Sequence, residues 1–166
     1  GIDHIKQKKV MFIGPPIERI KEDPIRMLRA IRFSAKLDTS LNSSLASSIR
    51  KSCDQINSIS RARLFDEFRK LFLGGYALSV WNLISKTSLP RLIWPECHAK
   101  DPIITIGLAF TDRRFKESKT LSPAFIIALL LWSKFNRKTA QSHSMNAESI
   151  AKNILKRQNN RMSIPI

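Results

Sequence analysis

Apolar residues in this chain recur at three- and four-residue spacing, and most of those runs open on a residue suited to capping a helix. That combination leaves room for little besides stacked α-helices. Asp23-Pro24 opens the first run: Asp can cap, Pro suits the first helical position, and the helix is predicted to reach about residue 37 with Leu28, Ile31 and Ala35 facing the core. A second helix is predicted over residues 42–56 through Leu45, Ile49 and Ile56. Ser60 caps a third, RARLFDEFRKLFL, with Leu64, Phe68, Leu71 and Phe72 on one side and Gly74-Gly75 as its stop. Further helical segments are predicted over residues 76–86 (Leu78, Trp81, Ile84), in LPRLIWP up to Pro95, over 102–116, over 122–138 with Ser122 as cap and Pro123 first, and over 146–157. Residues 10–13 (VMFI), ended by GPP, are the one stretch that reads as a strand. There is no internal repeat, and SKTSLP and TAQSHSMN read as loops rather than linkers. The expected fold is all-α, about seven helices in one continuous array with at most a short N-terminal strand.

A chain of 166 residues can bury a real core. Its 29 Lys and Arg against 13 Asp and Glu leave a net charge of +16, which calls for a polyanionic partner, nucleic acid or an anionic membrane surface. The most apolar run, AFIIALLLW at residues 124–132, is far short of the roughly 20 residues that span a bilayer, so no membrane partner is expected of it. The first ten residues carry no apolar run of signal-peptide length, and with no initiator Met and a Pro-containing end both termini read as cut. Cys53 and Cys97 stand far apart without a CxxC pair, which argues against a disulfide scaffold or a zinc site and for a reducing cytoplasm. His4, His98 and His143 are scattered, and Cys97-His98 lacks the second pair of ligands that a metal site needs. Trp81, Trp94 and Trp132 each stand in an apolar helical context, where the core is the expectation.

The chemistry lies in residues 21–37, KEDPIRMLRAIRFSAKL. Arg26, Arg29 and Arg32 recur every third residue, and like charges at that spacing repel unless something anionic compensates them. A guanidinium beside a carboxylate offers a donor next to an acceptor, so Asp23 and Arg26 match the acceptor and donor of adenine (N1, N6) or cytosine (N3, N4). Guanine and uracil reverse that pattern, and each polar group left unpaired in a dry site costs about 1–3 kcal/mol. Arg29 and Arg32, one and two turns on, are then placed for a phosphate tail. A plainer reading is open on the same residues: Asp23 as a helix cap, Glu22 as a partner of the helix dipole, and the arginines as a solvated face. The basic clusters Arg113, Arg114, Lys116 and Lys119, and Lys152, Lys156 and Arg157, suit an RNA backbone and equally suit plain solubility.

The same stretch resembles the EDxxRMLRAxRF motif of the superfamily that joins bacterial poly(A) polymerases and class II tRNA nucleotidyltransferases, the CCA-adding enzymes. FIGPPIERIKEDP resembles that family's IGDPxxRxxEDP, ISRARLFDEFRKLFLGGYA its next neck motif, and LPRLIWP and SPAFIIALLLW body segments of the poly(A) polymerase branch. The resemblance covers nearly the whole chain in the right order. It implies that Asp23 and Arg26 read the incoming base, that Arg29 and Arg32 help bind the nucleotide, and that Glu22 and Arg63 support them, Arg63 by bracing the base-reading helix. Taken without the family, Arg63 is as well read as a surface partner of Asp66 or Glu67. The resemblance further implies the end of a nucleotidyltransferase head and linker over residues 1–20, a helical neck over 21–86 and a partial RNA-binding body over 87–166. Pro15, Ile20 and Asp38-Thr39 depart from the family pattern, standing where an Asp, an aromatic residue and a Gly-aromatic pair are usual.

The family's chemistry uses a Gly-Ser loop and an Asp-x-Asp pair that holds magnesium. The seven aspartates here (3, 23, 38, 54, 66, 101 and 112) never stand two apart, and no Gly-Ser occurs. Mg²⁺ is therefore expected only on a head upstream of this chain, with no catalytic residue and no metal in the chain itself. The implied function is the nucleotide-selecting and RNA-binding part of a polynucleotide adenylyltransferase, with ATP and RNA 3′ ends as partners. Its alternatives are a CCA-adding tRNA nucleotidyltransferase and a non-catalytic, basic helical RNA-binding protein.

Overall fold

A computed structural model of the chain describes residues 8–141 and 146–164. In chain order it comprises β1 (Lys9–Val10), α1 (Pro16–Glu22), α2 (Ile25–Lys36), β2 (Ser40–Leu41), α3 (Ser43–Ser52), a 3₁₀ helix (Cys53–Ser58), α4 (Arg61–Phe72), α5 (Ala77–Ile84), α6 (Leu89–Ile93), α7 (Pro102–Lys116), α8 (Pro123–Gln141) and α9 (Ala147–Asn159). The all-α expectation holds, with nine α-helices among the described residues in place of about seven.

Local chemistry accounts for most of the boundaries. Asn42, Ser60, Asp101 and Asn146 each accept a backbone N–H in the first turn of the helix they precede. Gly75 turns the chain between α4 and α5 with φ of +82°, and a Cβ there would overlap the Phe115 ring, so both the backbone and the neighbour demand glycine. Asp112 on α7 accepts the N–H groups of Ala77 (2.7 Å) and Leu78 (3.0 Å), which caps α5 from a distant helix.

Four expectations need correction. The strand expected over residues 10–13 is shorter and earlier, and its parallel partner, with Lys9 opposite Ser40 and Val10 opposite Leu41, was not expected. Two residues are too few to show alternation. The short helix α1, with Ile20 fully buried, also went unread, because seven residues give under two turns of periodicity. The helix expected over 42–56 tightens into a 3₁₀ turn at Cys53, which keeps Ile56 buried beside α6. Trp132 is not a core residue: it is 45% exposed and packs tilted against Phe135, ring centroids 5.8 Å apart.

The core is one cluster running from Ile20 to Met162. Helix α2 is central to it, burying Ile25, Met27, Leu28, Ala30, Ile31, Ser34 and Ala35 and packing against α4 and α5. Beside it Phe68, Phe72, Trp81 and Trp94 form an aromatic cluster, with Phe68 and Phe72 centroids 5.3 Å apart and Phe72 edge-on to Trp94 at 5.6 Å. Burial of α2 on this side leaves its arginine row along the edge of the buried face, toward α4. Among the described residues no helix is long and apolar enough to cross a membrane. His4 and His143 lie outside the described residues.

Candidate functional site

The site forms where α1 ends and α2 begins. Asp23 has extended backbone (φ −151°, ψ 98°) and donates its N–H to the Arg19 carbonyl, which closes α1, while Pro24 takes the capping position of α2. The expectation that Asp23 caps α2 with Pro24 as its first residue is thus corrected by one position. The carboxylate, released from the backbone, is met from α4: Arg63 Nη2 donates to Asp23 Oδ1 at 3.0 Å and Oδ2 at 2.9 Å. Ser60 sets this up by capping α4 through the Arg63 N–H, which places Arg63 in the helix's first turn. Arg63 thus joins α4 to the head of α2, and neither Asp66 nor Glu67 is its partner.

One turn along, Arg26 Nη1 donates to the Arg19 carbonyl at 2.9 Å and to Glu22 Oε2 at 2.5 Å. Glu22 also receives Arg19 at 2.9 Å. The Arg26 hydrogen bond, aided by the charges of both arginines, holds the Glu22 carboxyl below the usual carboxylate range. The rest of the row faces Glu67 of α4, whose side chain is only 2% exposed: Arg32 Nε donates to it at 2.6 Å and Arg29 Nε lies 3.9 Å away. Arg32 is 14% exposed with its guanidinium 4.5 Å from the Phe33 ring centre, whereas Arg29 is 46% exposed. Two carboxylates of the chain itself, Glu22 and Glu67, therefore relieve the repulsion along the row. Asp23 stays 22% exposed and Arg26 32% exposed, so an acceptor and a donor both reach solvent at this helix start.

Glu67 is the site residue that sequence reading missed. A signal for its burial was present, since it falls on the helical stripe of Leu64, Phe68 and Leu71. The departures from the family pattern also find places. Pro15 precedes α1 as its capping residue, Ile20 is buried, and Asp38 adopts φ of +47°, the left-handed region that glycine enters most freely and Asp tolerates.

The basic residues occupy two elements. Arg113, Arg114 and Lys116 fill the last turn of α7, with Lys119 in the turn beyond, and Lys152, Lys156 and Arg157 ride on α9. Lys119 pairs with Glu117 at 2.7 Å, Lys152 with Glu148 at 2.6 Å, and Arg157 with Glu96 at 3.5 Å. Arg113 and Arg114 lie over the Phe110 ring at 5.0 and 5.9 Å. Among the described residues no three His, Cys, Asp or Glu side chains come together as a metal-binding group. Burial, then the Asp101 charge, pushes the Cys97 thiol up to about 12, which leaves it protonated and poorly nucleophilic at neutral pH.

Residues 40–101 match a family model described as the probable RNA and SrmB-binding site of polymerase A. The chain is 34% identical to poly(A) polymerase I of Haemophilus influenzae over 83% of its own length and 32% of that protein's, and 33% identical to poly(A) polymerase I of Escherichia coli O6:H1 over 80% and 30%. It is 34% identical to a CCA-adding enzyme of Anoxybacillus flavithermus over 64% of its length and 27% of that enzyme's. The chain spans about a third of the length of the curated relatives it matches. In fold it is similar to the Bacillus stearothermophilus CCA-adding enzyme solved in complex with CTP, with a TM-score of 0.52 and 18% identity over 95% of this chain and 52% of that one. Motifs, helical order and relatives agree: the chain belongs to the superfamily of bacterial poly(A) polymerases and CCA-adding tRNA nucleotidyltransferases.

Proposed function

We propose that this chain selects the incoming nucleotide and grips RNA for a polynucleotide adenylyltransferase that adds AMP from ATP to RNA 3′ ends. The observation that carries the reading is the Arg63 clamp that holds the Asp23 carboxylate just before the helix that bears Arg26. An ionised carboxylate has about four acceptor sites, so an oxygen already bonded to Arg63 still accepts an amino proton. Asp23 accepts from adenine N6, and Arg26, with donors beyond the one it gives to Glu22 and Arg19, donates to N1. Arg29, the more open of the next two arginines, meets the phosphates. Arg32 assists from beneath, its Nε held by Glu67. Magnesium, as cofactor of the whole enzyme, would supply charge neutralisation at the transferred phosphate, and among the described residues no group of His, Cys, Asp or Glu side chains comes together to hold it.

Cytosine presents the same edge as adenine, so addition of C and A to tRNA is the second reading, favoured by the likeness of fold to an enzyme solved with CTP. The poly(A) reading rests on the RLFDE and PAFIIALLLW segments and on the relatives named poly(A) polymerase I. The test is amide chemical-shift mapping of the chain with each of the four nucleotides. ATP and CTP are expected to move the signals of residues 22–26, with GTP and UTP leaving those in place and moving at most the signal of Arg29 through their phosphates. Equal responses to all four, or none with ATP, refute base reading at this helix start. An RNA primer extended by a polypeptide carrying this segment and a metal-binding head then separates the two readings: a run of A, or C, C and A.

A further inference from the structure

The turn from α7 to α8 leaves two large rings in the open, Phe110 at 41% and Phe125 at 45% exposed. With Thr111, Arg114, Thr120 and Ser122 they line a cleft of about 260 Å³. That is below the range of about 300–1,000 Å³ typical of drug-sized ligands, and it suits one planar ring system. Arg114 Nη2 donates to the Thr120 carbonyl at 3.1 Å and so braces the turn beside the cleft. The surroundings are cationic. Arg113 and Lys116 have no carboxylate partner among the described residues, Glu117 is taken by Lys119, and both Asp112 oxygens cap α5. An apolar peptide would gain from the rings and leave these charges unmet, whereas a single-stranded polyanion uses both, its base on a ring and its phosphates on guanidinium and ammonium groups.

We propose that this cleft is a stacking subsite for one unpaired nucleobase of RNA, the base lying on Phe125 and bounded by Phe110, with Arg113 and Lys116 on the flanking phosphates. It lies outside residues 40–101, the part matched by the RNA-binding family model, and is a separate contact. The inference rests on the reading that the chain grips RNA.

The probe is a single-stranded oligoribonucleotide of about twelve residues, within the span such surfaces cover, carrying one 2-aminopurine whose fluorescence is quenched by stacking. Affinity and quenching are followed against KCl concentration. Phe125→Leu is expected to weaken binding about 5- to 150-fold and to remove the quenching, while the dependence of log K on log salt stays that of the wild type. Phe125→Tyr is expected to keep both. Arg113→Gln and Lys116→Gln are each expected to lower the salt slope by about 0.7. Wild-type chain that binds without quenching overturns the proposal whatever the variants do. So does Phe125→Leu with wild-type affinity and quenching, the result expected of a surface that serves another protein. Wild-type chain that fails to bind at low salt defeats the RNA-gripping reading itself, and this inference falls with it.

Discussion

Replacing Glu67 by Gln removes the one carboxylate that faces two arginines of α2. Glu67 is 2% exposed, Arg32 is 14% exposed, and the Nε to Oε1 distance is 2.6 Å, so the loss leaves a nearly buried guanidinium without its counter-charge. Deleting one partner of a buried pair costs about 3–5 kcal/mol. Two features hold the value to the lower end: Gln still offers Oε1 as acceptor, and Arg32 keeps some contact with water. We therefore expect Glu67→Gln to destabilise the fold by about 3 kcal/mol, which in a chain of this size lowers the melting temperature by about 6–12 °C. Arg29 adds little to this, since its Nε lies 3.9 Å away on a side chain 46% exposed. If the cost is that of an orphaned charge rather than lost packing, the double variant Glu67→Leu/Arg32→Met, which keeps the volume and removes both charges, should recover most of it. Urea unfolding followed by far-UV circular dichroism measures Glu67→Gln and the four corners of the cycle, wild type, Glu67→Leu, Arg32→Met and the double variant. Glu67→Gln within about 1 kcal/mol of wild type, or a double variant as unstable as the sum of the singles, would refute the argument.

The other predictions are direct. Asp23→Asn should leave unfolding within about 1 kcal/mol of wild type, since its partner Arg63 is a half-exposed surface arginine; in a polypeptide that includes a metal-binding head it should nonetheless shift the kcat/KM ratios among the four nucleotides, and unchanged ratios there and in Arg26→Ala count against base reading. Asp112→Ala should cost about 1–2 kcal/mol through loss of the cap on α5, a thermal melt indistinguishable from wild type being the contrary result. The chain on its own, incubated with ATP, magnesium and an RNA primer, should transfer no nucleotide, because its sequence contains no Asp-x-Asp pair; reproducible extension by pure material overturns this. Acid should destabilise the fold partly through Glu96, held low by Lys134 and then Arg157, and Asp101, held low chiefly by the Ser133 hydroxyl. Both folded-state values lie below the unfolded ones, so the unfolded chain binds protons first as pH falls, and stability present at neutral pH is lost below about pH 4. Glu96→Gln should flatten that decline, and a melting temperature equally steep in acid would count against it.

What the sequence determined by itself was local. The caps at Asn42, Ser60 and Asn146 act on backbone within three residues, and the buried stripes of α2 and α4 repeat with the helix period, so both could be read without a partner in view. The motif was legible for the same reason: threefold spacing puts Arg26, Arg29 and Arg32 along one flank of whatever helix Asp23-Pro24 begins. Which anion meets them was not legible, because Glu67 stands 35 residues from Arg32 and Arg63 stands 40 from Asp23. An ion pair depends on a distance of a few ångströms that only packing sets, and the apolar stripe that marks Glu67 and not Asp66 for burial says nothing of which arginine it meets. Trp132 and Phe125 were indistinguishable from core residues on the same grounds. The apolar period marks which face of a helix seeks cover, while only the packing of α8 against α7 and α9 determined how much of that face was covered.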